Sequence, residues 1–163
     1  MDFRHFITGK IKSFGYPLNE DFTSILNNII YVICIRLMNT MVHLTNHCQK
    51  KVIKKDSISY AVQIELKNIN YVSSSNINVS IPLLFLDNIF RSKVITNFSI
   101  TKGCLIELSK LLDYLINFYI QFSITDNNLN IPSLLNQLKI NNIFLYRYIV
   151  SKHNLKEYVG TFI

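Results

Sequence analysis

The chain has 163 residues, 49% of them hydrophobic and 17% charged, with 17 Lys and Arg against 10 Asp and Glu for a net charge of +7. That length supports a sizeable buried core, and the positive balance favours an anionic partner, either nucleic acid or an acidic membrane surface. The three cysteines, Cys34, Cys48 and Cys104, are widely spaced and odd in number, which argues against a disulfide framework and against a CxxC motif.

Breakers are few, so each one punctuates the chain. The opening MDFRHF is followed by no apolar run, and a secretory leader is not expected. Phe3, Phe6, Ile7 and Ile11 share one face of a short helix predicted over about 3–13, and Gly15-Tyr16-Pro17 ends it. Asn19 then stands as an N-cap ahead of Glu20 and Asp21, where negative charge suits a helix start. The long helix that follows is predicted over about 20–50, with Phe22, Ile25, Ile29, Ile33, Leu37, Met41, Leu44 and Cys48 recurring every three or four residues. Ile30, Val32, Ile35 and Val42 make its other faces apolar as well, so several neighbours must cover it. Its most apolar stretch, Ile25 to Met38, is interrupted by Asn27, Asn28 and Arg36 and is expected to be too short and too polar to span a bilayer.

The basic segment Lys50-Lys51-Val52-Ile53-Lys54-Lys55 comes next, and Asp56 or Ser57 is expected to cap a short helix reaching about Leu66. Ile58, Ala61, Val62 and Leu66 should face inward. Residues 69–79 are polar and aperiodic, which marks a linker between a first half, 1–68, and a second, 80–163. The second half repeats the plan. Pro82 opens a short helix to about Ser92 with Leu83, Leu86, Ile89 and Phe90 inward, and a loop around Ile95-Phe98 follows. A longer helix then runs over about 103–124, with Leu105, Leu108, Leu112, Leu115, Tyr119 and Phe122 on its core face. Asp126-Asn127-Asn128 breaks it, Pro132 opens another short helix to about Ile140, and 143–150 forms an extra C-terminal helix. Each half therefore reads short, long, short, a repeat of architecture and not of letters.

That plan resembles the histone fold, and the letters add to it. PLNEDFTSILNNIIYVICIRLMNTMVHLTNHCQKKVIKKDSISYAVQIELK, from Pro17 to Lys67, is similar to the second half of histone 2B, with QKKVIKKDSISYAV in the place of its basic loop and third helix. Ile81 to Leu115 resembles histone 2A from its first helix into its second, Leu112-Asp113-Tyr114-Leu115 standing where that family has Leu-Glu-Tyr-Leu. The order, 2B-like then 2A-like, is that of the fused histone doublets of some large DNA viruses. The resemblance implies an all-α chain of two tandem histone folds, paired as an intramolecular pseudo-heterodimer, with the extra C-terminal helix appended. It stops short of the family's long basic tails. Phe85 and Asn88 replace two of its arginines, and Phe118, Gln121 and Ile143-Phe144 stand where its acidic patch would be.

In such a pair the first loop of one fold lies beside the second loop of the other. The resemblance then gathers Lys50, Lys51, Lys54 and Lys55 near Arg91, Lys93 and Lys102 as a phosphate-gripping cluster that reads no bases. The opposite loops, Gly15 to Asn19 and Asp126 to Asn130, are almost devoid of basic residues, so one strong and one weak DNA edge are expected. His43, His47, Tyr148 and Tyr158 fall where the family meets a partner histone, and the final segment 157–163 takes the place of its docking segment. His43 and His47 have the i, i+4 spacing of zinc ligands, but no third or fourth ligand accompanies them and no metal is expected. His5 and His153 read as surface residues. No Gly-rich phosphate loop, GxSxG or HExxH motif is present, so neither catalysis nor a cofactor nor a small-molecule substrate is expected.

The expected partners are double-stranded DNA and a histone or doublet resembling histones 4 and 3, with no membrane, in a virion and in the viral factory or host nucleus. Two other readings remain open on the sequence. One is a histone-fold protein-interaction subunit of a transcription or replication complex, and the other an unrelated helical bundle, since fold does not dictate function.

Overall fold

The computed structural model describes residues 2–73 and 79–155, and within them the chain is predominantly helical. The described residues form seven helices, α1 (Arg4–Ser13), α2 (Glu20–His47), α3 (Ser57–Glu65), α4 (Leu83–Lys93), α5 (Lys102–Phe122), α6 (Ile131–Asn141) and α7 (Ile143–His153). Two pairs of two-residue strands accompany them, β1 (Val52–Ile53) with β2 (Ser99–Ile100) and β3 (Ile124–Thr125) with β4 (Asn128–Leu129). The helices lie where the apolar period places them, and the strands, too short to carry a period, add to that outline. The chain divides into two compact units, each drawing on both halves of the sequence, and the divisions fall inside α2 and α5.

One unit takes the residues up to Tyr31 and those from Leu115 onward. Its core collects Phe3, Ile7 and Ile11 of α1, Phe22, Leu26, Ile29 and Ile30 of α2, Leu115, Tyr119 and Ile120 of α5, and Leu134, Leu135 and Leu138 of α6. Asn19 caps α2 as expected, its Oδ1 accepting from Phe22 N at 3.1 Å. Asn27, an apparent interruption of the apolar run, is buried, and its Oδ1 accepts from Phe3 N at 2.8 Å at the start of α1. Asn130 and Asn142 cap α6 and α7 in the same way. At the break after α5, Asp126 and Asn127 take φ of 51° and 62°, the left-handed pair that a type I′ hairpin turn requires, and β3 and β4 pair antiparallel around them.

The other unit is Val32–Tyr114. Ile33, Leu37, Met38 and Met41 of α2 are buried with Ile58, Ala61 and Val62 of α3, Leu86, Ile89 and Phe90 of α4, and Leu105, Leu108 and Leu111 of α5. Arg36 Nε donates to Glu65 Oε2 at 2.7 Å and Thr40 Oγ1 to Glu65 Oε1 at 2.6 Å, tying α3 to α2.

Several expectations are corrected. Asp56 precedes α3 without a side-chain cap bond, and the Ser57 hydroxyl turns back to the Lys54 carbonyl instead. On α4 Phe85 is buried and Leu83 only half-buried, so Phe85 takes a place in the core that the apolar pattern gives to Leu83. Phe122 ends α5 57% exposed, its ring tilted against that of Phe118 with centroids 4.6 Å apart. The apolar stretch Ile25–Met38 belongs to a 28-residue helix, and by length and composition alone α2 is long and apolar enough to cross a membrane. Ile29, Ile30, Ile33, Cys34, Leu37 and Met38 nevertheless point around the helix and are each no more than 1% exposed, as on a core helix.

Candidate nucleic-acid interface

The basic segment begins where α2 stops. Gln49 takes a φ of 58°, and Lys50 N donates back to the Thr45 carbonyl at 3.0 Å, a left-handed C-terminal turn that ends the helix and sends the chain out extended. Val52 and Ile53 then pair in parallel with Ser99 and Ile100. Ser99 N donates to the Lys51 carbonyl at 3.1 Å and Thr101 N to the Ile53 carbonyl at 3.0 Å. Ile53 is fully buried beneath this pairing, which leaves Lys50, Lys51, Lys54 and Lys55 exposed on either side of it. None of the four makes an ion pair with an acid among the described residues.

The strand pairing delivers the same loop to the start of α5. Thr101 Oγ1 accepts from Cys104 N at 3.1 Å and caps the helix, Lys102 is its first residue, and a Cβ on Gly103 would meet nothing within 4 Å beyond its chain neighbours and the helix's own backbone. Exposed lysines and the first turn of a helix together form a surface suited to phosphate oxygens. One acid tempers it. Burial pushes the Cys104 thiol up to about 12, and Asp56 and then Glu107 add to that shift, which puts the Asp56 charge near the start of α5.

Arg91 and Lys93 are placed differently. Arg91 Nε is held 2.9 Å from Asp87 Oδ2 one turn earlier on α4, so part of its charge is already met. It does line the same loop, across a surface cavity of about 310 Å³ bounded by Phe90, Thr96 and Phe98 to Ile100. Lys93 is exposed at the end of α4. The Thr101 cap escaped the sequence reading, although a threonine just ahead of an apolar period is a recognised start signal.

In this unit ten Lys and Arg stand against five Asp and Glu, while the described part of the other unit has six against four. There the loops at Gly15–Asn19 and Asp126–Asn130 carry no Lys or Arg. A cavity of about 500 Å³ beside α1 and the start of α2 is lined by Arg4 together with Glu20 and Asp21, a mixed surface and a poor anion site.

His43 and His47 are exposed on α2, and Tyr60 and Ile64 of α3, in the same unit, are 61% and 59% exposed. Among the described residues no group of three or more His, Cys, Asp and Glu is placed to hold a metal ion. Tyr148, in the other unit, is 48% exposed with Lys152 Nζ 5.7 Å from its ring centre. Tyr158 and the segment 157–163 lie outside the described residues. His5 is exposed, but His153 is not a simple surface residue. Its Nε2 lies 2.6 Å from Asn28 Nδ2, and desolvation, with Lys152 adding, lowers its pKa from the ordinary 6.5.

Comparison with protein-family models, with curated proteins and with solved structures finds no match.

Proposed function

We propose that this chain is a histone doublet, two tandem histone folds joined by residues 69–79, whose work is sequence-independent binding and compaction of duplex DNA. Its counterpart would be a histone or doublet resembling histones 4 and 3, and its setting a virion, viral factory or infected nucleus. The observation that carries the reading is the parallel pairing of Val52-Ile53 with Ser99-Ile100, which joins a loop of four exposed lysines, without an ion pair among the described residues, to the strand that leads into the capped start of α5. Two short–long–short helix series support it, as does the 2B-like and 2A-like lettering of the two halves. Lysine contacts to phosphate position DNA and carry no base code. The absence of basic residues from the Gly15–Asn19 and Asp126–Asn130 loops limits the grip to one strong edge.

The test is nuclease protection of random-sequence duplex DNA by the purified chain, alone and with a histone 3–histone 4 pair. The reading predicts protection independent of sequence that lengthens when the counterpart is added. A second reading has its own support, since Tyr60 and Ile64, one turn apart on α3, are both exposed. It makes the chain a protein-interaction subunit of a transcription or replication complex. No protection under either condition would favour it.

A further inference from the structure

Glu107 and Asp113 stand six residues apart on α5; Glu107 accepts a hydrogen bond from the segment that joins the two halves of the chain, and Asp113 one from Ser80, the first residue past it. Ser73 Oγ donates to Glu107 Oε2 at 2.6 Å, and the Tyr71 hydroxyl reaches the same oxygen at 3.5 Å. Ser80 Oγ donates to Asp113 Oδ1 at 2.9 Å. Apolar and backbone contacts reinforce both points. The Tyr71 and Tyr114 rings are 5.4 Å apart, and the Tyr114 hydroxyl donates to the Asn70 carbonyl at 3.2 Å. Just past Ser80, Ile81 is fully buried and its carbonyl accepts from buried Ser109 Oγ at 2.8 Å. Lys110, 10% exposed, closes on Glu107 at 3.8 Å from the other side.

We infer that α5 carries a two-point latch for the connecting segment, Glu107 holding Tyr71 and Ser73, Asp113 holding Ser80, and that the latch keeps both halves of the fold within one chain. The latch is independent of DNA binding. Its dimensions favour closure without strain. Six residues of helix rise about 9 Å, and the step from Ser73 to Ser80 can reach at most about 25 Å. Once the first anchor is set, the second is held near its site at an effective concentration on the order of millimolar, well above that of another copy in dilute solution. Removing residues 74–78 would cut the reach to about 7 Å, less than the rise of about 9 Å between the two acceptors, so the deletion sets the two anchors against each other.

The experiment compares four proteins by light scattering and by chymotryptic cleavage after Tyr71. These are the native chain, S73A/S80A, a deletion of 74–78, and a length-matched Gly-Ser replacement of 74–78. The native and length-matched chains are expected to be monomers cut slowly after Tyr71. S73A/S80A should keep its helical signal and be cut roughly tenfold faster. The deletion should form dimers that exchange halves or lose helical structure. Three results would each overturn the latch: unchanged cleavage of S73A/S80A, a monomeric deletion variant with native cleavage and melting, or dimers of the length-matched chain. Should S73A/S80A unfold, cleavage after Tyr71 in E107Q decides the matter in the same sense.

Discussion

Ile53 and Ile100 stand as partners in a parallel strand pair, although they lie in different halves of the sequence and α3 and α4 intervene. Thr101 N donates to the Ile53 carbonyl at 3.0 Å, and the Ile53 side chain is fully buried. The buried Ile53 side chain, together with the backbone bonds of the strand pair, thus holds the lysine loop to the strand that leads into α5. Truncating it leaves a cavity as well as lost transfer energy, so Ile53→Ala should lower stability by about 2–4 kcal/mol. Urea denaturation of the variant checks this, and a loss below about 1 kcal/mol would show that Ile53 does not anchor the loop.

In the other unit Tyr119 is fully buried on α5, and its hydroxyl donates to Asn141 Oδ1 at 3.0 Å. Burial drives the phenol pKa well above its ordinary value. Gln137 Nε2 also reaches Asn141 Oδ1, at 3.4 Å, so removing the phenol oxygen leaves the acceptor partly met. Tyr119→Phe should therefore cost only about 1 kcal/mol, read as a shifted urea midpoint at unchanged m-value.

His153 makes stability depend on pH in a defined direction. Asn28 Nδ2 is a donor, so Nε2 accepts and the folded protein holds the neutral ring. Its pKa lies below 6.5 in the fold, so between the folded value and 6.5 the unfolded chain binds more protons. The contribution is fully present above 6.5 and is lost as pH falls through that window. Melting temperatures between pH 7 and pH 5 should drop more steeply for the native chain than for His153→Gln. Parallel profiles would remove His153 from the account.

The helices were legible because burial writes a three-to-four-residue period into the chain, and α2, α5 and the short helices around them lie close to where Phe22, Ile29, Leu108 and the breaker Pro132 put them. What escaped the reading is short or polar. Two-residue strands have no period, so neither β1–β2 nor β3–β4 could be seen, although Asp126-Asn127 tolerates the left-handed turn it makes. Asn27 read as a break because its use, accepting from Phe3 N, depends on a residue 24 positions away. His153 read as exposed for the same reason, its partner Asn28 being 125 positions distant. In the candidate site the four lysines of the loop were plain from the run Lys50-Lys51-Val52-Ile53-Lys54-Lys55, whereas the strand that pairs with it carries no signal of its own. The Arg91–Asp87 pair has readable i,i+4 spacing, yet only the geometry shows that Asp87 already holds the guanidinium.

The central claim is that the lysine loop grips phosphates without reading sequence. The most direct measurement is the affinity for random-sequence duplex DNA across a salt series, for the native chain and for one with Lys50, Lys51, Lys54 and Lys55 changed to Glu. Four or five phosphate contacts should give a log–log slope of about −4 for the native chain. In the variant the slope should approach zero and binding at low salt should fall at least about a hundredfold. Binding with the same slope in both proteins, or none by the native chain at low salt, would contradict it.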